Sequence, residues 1–234
     1  CRSSDAENAR PKRSLPQPDG SNEPSSSGGT TAGSVSIPSV VQTYTTARFT
    51  INTDGRALHE VPRSQMAEWI CRVVEMEGPV HLGEVRSRIT ENAGMKRAGR
   101  RIDDAVRSGV KLALRMGRVA VNGDFLGTPG SSESFVAGFI RNRSELPSSS
   151  RRIDYVPPQE IRLAVITIAD DSCGIGLGET VTHTCRLLGF ARTTEAMKAY
   201  VEPIIREMID KGILEERNGM LLATQSSRSR GEHL

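Results

Sequence analysis

The chain of 234 residues repeats itself. Val61-Pro62 recurs as Val156-Pro157, Leu82-Gly83-Glu84 as Leu177-Gly178-Glu179, Gly94 as Gly189 and Gly117 as Gly212, each 95 residues later. With one inserted residue, Asn122-Gly123 recurs as Asn218-Gly219. One such match could be chance. An ordered series, with glycines at the punctuation points, means that one folding pattern occurs twice. Any fold assigned to one half must suit the other, in about 70 residues apiece, enough for one small core.

Periodicity supplies the elements of each half. In the first, Met66, Trp69, Ile70, Val73 and Val74 recur at helical spacing and predict a helix over Ser64–Glu77. A short extended piece follows at Val80–Leu82, then a second helix over Gly83–Asn92 that Gly94 closes. Ile102, Val106, Val110 and Ala113 predict a long third helix over Arg97–Met116, ended by Gly117. Arg118–Val121 and Asp124–Leu126 flank Asn122-Gly123, a strong hairpin signal. The second half predicts helices over Gln159–Ala169, Glu179–Leu188 and Thr194–Lys211, then a hairpin of Ile213–Glu216 and Met220–Leu222 around Asn218-Gly219. Helix, short strand, helix, glycine turn, helix and two-stranded wing is the order of a winged helix-turn-helix. The expected fold is therefore mainly α with small β wings, as two tandem winged helix-turn-helix repeats.

The flanks read differently. Residues 1–37 are rich in Ser, Gly, Pro and Asn, and the run Ser25–Gly33 has no large apolar side chain. Such a segment cannot bury enough surface to offset its ordering entropy, and a disordered linker is expected. Residues 38–54 read as an extended lead-in, 55–127 as repeat 1, 128–152 as an inter-repeat linker, 153–224 as repeat 2 and 225–234 as a disordered tail. The start at Cys1 rather than Met leads us to expect a piece of a longer protein. No run of 18 apolar residues occurs, so no membrane partner is expected. The 4 cysteines have no regular spacing, which fits a reducing, cytoplasmic setting.

Charge separates the two repeats. Between residues 95 and 118 stand Lys96, Arg97, Arg100, Arg101, Arg107, Lys111, Arg115 and Arg118, opposed only by Asp103 and Asp104. Lys96, Arg97, Arg100 and Arg101 fall at i, i+1, i+4 and i+5, which places them on one helical face. A helix that packs on one side and is basic on the other suits docking on phosphates. Arg118, at the foot of the wing, would add one contact. The matching stretch in repeat 2, residues 192–212, carries four basic residues (Arg192, Lys198, Arg206 and Lys211) against four acidic ones (Glu195, Glu202, Glu207 and Asp210). Repeat 2 is thus expected to pack on a neighbour or to space the first repeat.

Enzymatic readings find little support. No phosphate-loop motif occurs, and Gly174-Ile175-Gly176-Leu177-Gly178 lacks dinucleotide-site spacing. Cys173, His183 and Cys185 match no zinc finger and want a fourth ligand. His59, His81, His183 and His233 show no triad pattern. Neither catalytic residues nor a metal or other cofactor is expected.

Several words of the sequence are similar to a known family. They are Leu58-His59-Glu60-Val61-Pro62, Val73-Val74-Glu75-Met76-Glu77-Gly78-Pro79-Val80-His81, Lys96-Arg97-Ala98-Gly99-Arg100-Arg101-Ile102 and Cys185-Arg186-Leu187-Leu188-Gly189-Phe190-Ala191-Arg192. They resemble the domain-of-unknown-function family that closes many large bacterial superfamily 1 helicase-like proteins, often beside a Vsr-like nuclease domain. The resemblance spans residues 55–224 and carries no catalytic residue. It implies a parent that unwinds nucleic acid in DNA repair or defence, located at the bacterial nucleoid. This region would contribute binding or positioning. The partners expected are nucleic acid, DNA before RNA, and the N-terminal helicase core of the parent. Two alternatives remain: a protein-docking module on that core, and a free-standing winged-helix transcription factor.

Overall fold

A computed structural model describes residues 41–130 and 138–224. The expectations for residues 1–37 and 225–234 lie outside the described residues. The described part mixes α and β and is mostly helical, with six α-helices and three small sheets. It opens with β1 (Val41–Thr43). The first half then runs α1 (Arg63–Glu77), β2 (Val80–His81), α2 (Leu82–Asn92), α3 (Arg100–Arg115), β3 (Ala120–Asn122) and β4 (Phe125–Gly127). Strand β5 (Ile140–Asn142) and a 3-10 turn at Ile153–Tyr155 lead to the second half. That half runs α4 (Pro158–Asp171), β6 (Ile175–Gly176), α5 (Leu177–Leu187), α6 (Glu195–Asp210), β7 (Leu214–Arg217) and β8 (Met220–Ala223).

The repeat is exact at the helix starts. Arg63, Leu82 and Arg100 become Pro158, Leu177 and Glu195, the same offset of 95 that the sequence words show. Both three-stranded sheets are antiparallel with one order, β2-β4-β3 and β6-β8-β7. Each half has its own core. In the first, Met66, Ile70, Val73 and Val74 of α1 bury against Ile102, Val106 and Ala113 of α3. Gly109 sits at the closest point of that crossing, where an added Cβ would lie 2.7 Å from both Ile70 Cδ1 and Met66 Cγ. In the second, Ile161, Ala164 and Val165 of α4 bury with Val201, Ile205 and Met208 of α6.

The hairpin loops differ by the inserted residue. Asn122 ends β3 and pairs with Phe125, so the first loop is Gly123-Asp124 rather than Asn122-Gly123. Only Gly123 in it has positive φ, +58°, as a loop with glycine at its first central position requires. Strand β7 is one residue longer than β3, which moves Asn218 and Gly219 into the second loop, both with positive φ.

The expected linker, residues 128–152, carries the joint between the halves. Its strand β5 pairs in parallel with β1, Val41 opposite Ile140 and Thr43 opposite Asn142. Arg141 and Arg143 of this stretch are buried, and both engage Glu160 in the first turn of α4. Arg141 donates from Nε and Nη2 to Glu160 Oε2 at 3.1 and 2.9 Å. Arg143 reaches Glu160 Oε1 and Oε2 at 2.6 and 2.8 Å. Arg141 also donates to the carbonyls of Glu77 and Pro79, at 2.6 and 2.8 Å, beside the C-terminus of α1. One guanidinium thus caps the first helix of one half and holds the first helix of the other. Both ends suit the helix dipoles, cation at a C-terminus and carboxylate at an N-terminus.

The network continues into the first half. The Glu77 carboxylate accepts from the Tyr44 hydroxyl at 2.8 Å, the Ala47 amide at 2.6 Å and Arg88 Nε at 2.9 Å. Arg88 Nη2 reaches Glu84 at 2.6 Å. The Tyr44 ring lies 5.0 Å from the guanidinium carbons of both Arg141 and Arg143. Three buried guanidiniums, Arg88, Arg141 and Arg143, face three buried carboxylates, Glu77, Glu84 and Glu160. Burial alone would raise the Glu160 carboxyl, but Arg143 and Arg141 pull it down to about 2.

Two predictions follow from these contacts. Gly94 and Gly189 both have positive φ, +72° and +92°. A Cβ on Gly94 meets nothing within 4 Å, whereas one on Gly189 would lie 2.5 Å from the Arg143 and Ser144 amide nitrogens. Gly94→Ala should cost about 1–2 kcal/mol from backbone strain alone, and Gly189→Ala clearly more, measured by urea unfolding. For Glu160, the depressed folded-state value means its stabilisation is full above the ordinary carboxylate range and fades as pH falls toward 2. Glu160→Gln should cost about 3–5 kcal/mol at neutral pH. The gap between it and the unsubstituted chain should narrow as acid protonates Glu160.

Candidate nucleic-acid interface

Helix α3 has two faces set by its own spacing. Ile102, Val106, Gly109 and Ala113 are buried. Arg100, Arg107, Lys111 and Arg115 are exposed and lie, at about 100° per residue, within an arc of about 80° on the opposite side. From Arg100 to Arg115 the row is about 22 Å long at the helical rise. Packing of α1 against the buried face, with Gly109 allowing close approach, holds the cationic row outward.

The residues expected at this interface are not all equivalent. Helix α3 begins at Arg100, with Gly99 as its N-cap, and residues 96–99 are not helical. Lys96 and Arg97 therefore do not share a helical face with Arg100 and Arg101. They are exposed on the segment that leads into the helix. The sequence Ala98-Gly99 explains the later start: glycine is a poor helix interior residue but serves at an N-cap. Arg101 is exposed at the edge of the row. Lys96, Arg97, Arg100, Arg101, Arg107, Lys111 and Arg115 have no hydrogen-bond or ion-pair partner among the described residues.

Arg118 is placed otherwise. Its guanidinium bonds Glu68 at 2.5 Å and Glu75 at 3.4 Å, both on α1. It fastens the start of the hairpin to that helix, and its charge is already answered. Asp103 likewise turns away from the row and meets Arg86 of α2 at 3.3 Å. Asp104 alone among the acidic residues of α3 stays exposed without such a partner.

The hairpin tip meets the second half. Asn122, Gly123 and Asp124 line a cleft of ≈ 450 Å³ with Pro158, Gln159 and Arg162 of α4 and Tyr200 of α6. His81 stands beside it, stacked on Tyr155 with centroids 4.0 Å apart and edge-on to Phe125 at 5.3 Å. Its Nδ1 accepts from the Gly83 amide at 3.0 Å and so caps α2. Burial lowers its pKa, while Asp124 and Asp154 act in the opposite sense.

In the second half the counterpart helix has one of its two basic residues paired, and Arg206 is exposed without an ion pair among the described residues. On α6, Lys198 pairs with Glu195 at 2.8 Å, and Glu207 takes both Lys211 at 2.5 Å and Arg162 of α4 at 2.7 Å. Among the described residues no group of His, Cys, Asp and Glu could hold a metal, and no helix is long and apolar enough to cross a membrane.

Glu84 and Arg88 stand at the local i, i+4 helical spacing, but Arg141, Arg143, Tyr44 and Glu160 carry no signal in the local sequence. Arg141 lies 19 residues from Glu160 and 64 from the Glu77 carbonyl that it engages. Only tertiary contact brings them together.

A family model described as Protein of unknown function (DUF3320) matches residues 56–104. The matched span runs from the turn ahead of α1 into the first turns of α3, and so includes Lys96, Arg97, Arg100 and Arg101 but not Arg107. A comparison with curated proteins found no significant match.

The pairing pattern separates Arg118 from the other cations. Arg118→Gln should leave polyanion affinity within about twofold while loosening the hairpin, seen as faster amide exchange at Ala120–Asn122. Lys111→Gln should do the reverse, since Lys111 has no carboxylate partner to lose. Heparin-column elution salt and hydrogen exchange together read both effects.

Proposed function

We propose that the chain is a nucleic-acid-binding accessory module that holds duplex DNA through the exposed face of α3. The observation that carries this reading is the row Arg100, Arg107, Lys111 and Arg115, unpaired and outward, with Lys96 and Arg97 leading into it. Unpaired cations on an exposed helix face release counterions when they meet phosphates, which supplies the affinity. We read each half as a winged helix-turn-helix, with α3 and α6 as the third helices. Among the described residues no basic residue of α3 is ion-paired, whereas α6 leaves one, Arg206, without an ion pair. Repeat 2 then serves as a brace. The wing of repeat 1 does not act as a second DNA-contacting arm in this reading, because its tip carries Asp124 and faces α4 and α6.

The described aromatics support duplex over single strand. Trp69, Tyr44, Phe125 and Phe190 are buried, Tyr155 is stacked on His81, Phe139 is exposed but lies outside both repeats' helices, and none belongs to α3. A single-strand platform needs free rings for base stacking. That the parent is a bacterial helicase or helicase–nuclease rests on the resemblance of the quoted segments alone. A docking role on the helicase core is the second reading, favoured by the paired charges of α6.

A salt titration tests the proposal. With about 4–6 phosphates neutralised, log K on duplex DNA should fall against log salt with a slope of about −4 to −5. Arg107→Glu with Lys111→Glu should remove most of the affinity and flatten the slope without changing the unfolding midpoint. Binding to no duplex, or an unchanged affinity in this variant, would overturn it.

A further inference from the structure

Asp104 is the feature of α3 that phosphate binding does not explain. It lies four residues after Arg100 and three before Arg107, inside the arc of the cationic row, and it is exposed. Its neighbour Asp103 is drawn off to Arg86, but Asp104 makes no ion pair with the cations on either side of it. A carboxylate in that place repels the phosphates that the row attracts. It is an acceptor without a donor, in the N-terminal half of the helix. When such a helix lies in the major groove, its N-terminal residues are the ones that reach base edges.

We infer that Asp104 is a base-reading residue, and that the module prefers duplex DNA carrying a cytosine at one position of its site. A carboxylate accepts from the cytosine N4 amino group in the major groove, while the flanking arginines and lysine take the phosphates. The inference rests on the proposed DNA-binding role of α3. It requires B-DNA rather than duplex RNA: the major groove of B-DNA admits a helix, whereas that of duplex RNA is too deep and narrow to be read by side chains.

The test is selection from random duplex DNA with the full chain and with Asp104→Ala, Asp104→Asn and Arg107→Glu. Affinities are then measured on the enriched site and its single base-pair changes. The unsubstituted chain should enrich one C·G pair, and replacing that pair by T·A should weaken binding about tenfold or more. Asp104→Ala should lose discrimination at that position alone. Asp104→Asn should move the preference to A·T, since an amide pairs with the N6 and N7 edge of adenine. A uniform gain in affinity on every duplex for both Asp104 variants would overturn the inference, as would enrichment of no position. If Arg107→Glu abolishes binding under either outcome, the phosphate-contact role stands and only the reading role falls. If the unsubstituted chain binds no duplex, both fall.

Discussion

The structure depends on one buried guanidinium. Arg141 donates to the carbonyls at the end of α1 and to the carboxylate at the start of α4, so a single planar group satisfies both halves of the chain. Burying a charge is costly unless its partners are close and its donors are all used. Here Nε, Nη1 and Nη2 all donate, to Glu160 and to the carbonyls of Glu77 and Pro79, and the Tyr44 ring lies 5.0 Å away. Such a cluster tolerates little displacement. It orients the two repeats more sharply than apolar packing would, because apolar surfaces can slide and bidentate ion pairs cannot.

The two repeats that Arg141 joins are not equivalent in charge. The two halves share helix positions and sheet order, yet differ in what their third helices do with charge. On α6 Lys198 meets Glu195, and Glu207 meets both Lys211 and Arg162 of α4, while Arg206 has no ion pair among the described residues. On α3 the cations are left free, and the carboxylate that could have quenched the first turn, Asp103, is engaged by α2.

Much of this was legible in the residues. Helix positions could be read because apolar side chains recur with the helical period and glycines mark the ends. Gly94, Gly117, Gly189 and Gly212 all adopt positive φ. The basic stretch was visible as composition. Its geometry was less so: Gly99 starts α3 later than the run of charges implies, which takes Lys96 and Arg97 off the helix. Arg118 looked like part of the same run and instead belongs to α1 through Glu68 and Glu75. The polar stretch between the halves looked like a linker because its buried arginines are, by composition, surface residues.

By itself the sequence determined the six helices, the two hairpins, their duplication and the side of α3 on which charge collects, because periods of a few residues encode them. The tertiary structure alone decided that Arg118 and Asp103 are paired and where the halves meet. Those depend on partners 17–64 residues away, and the energy of an ion pair is set by distance and burial, which no local pattern records.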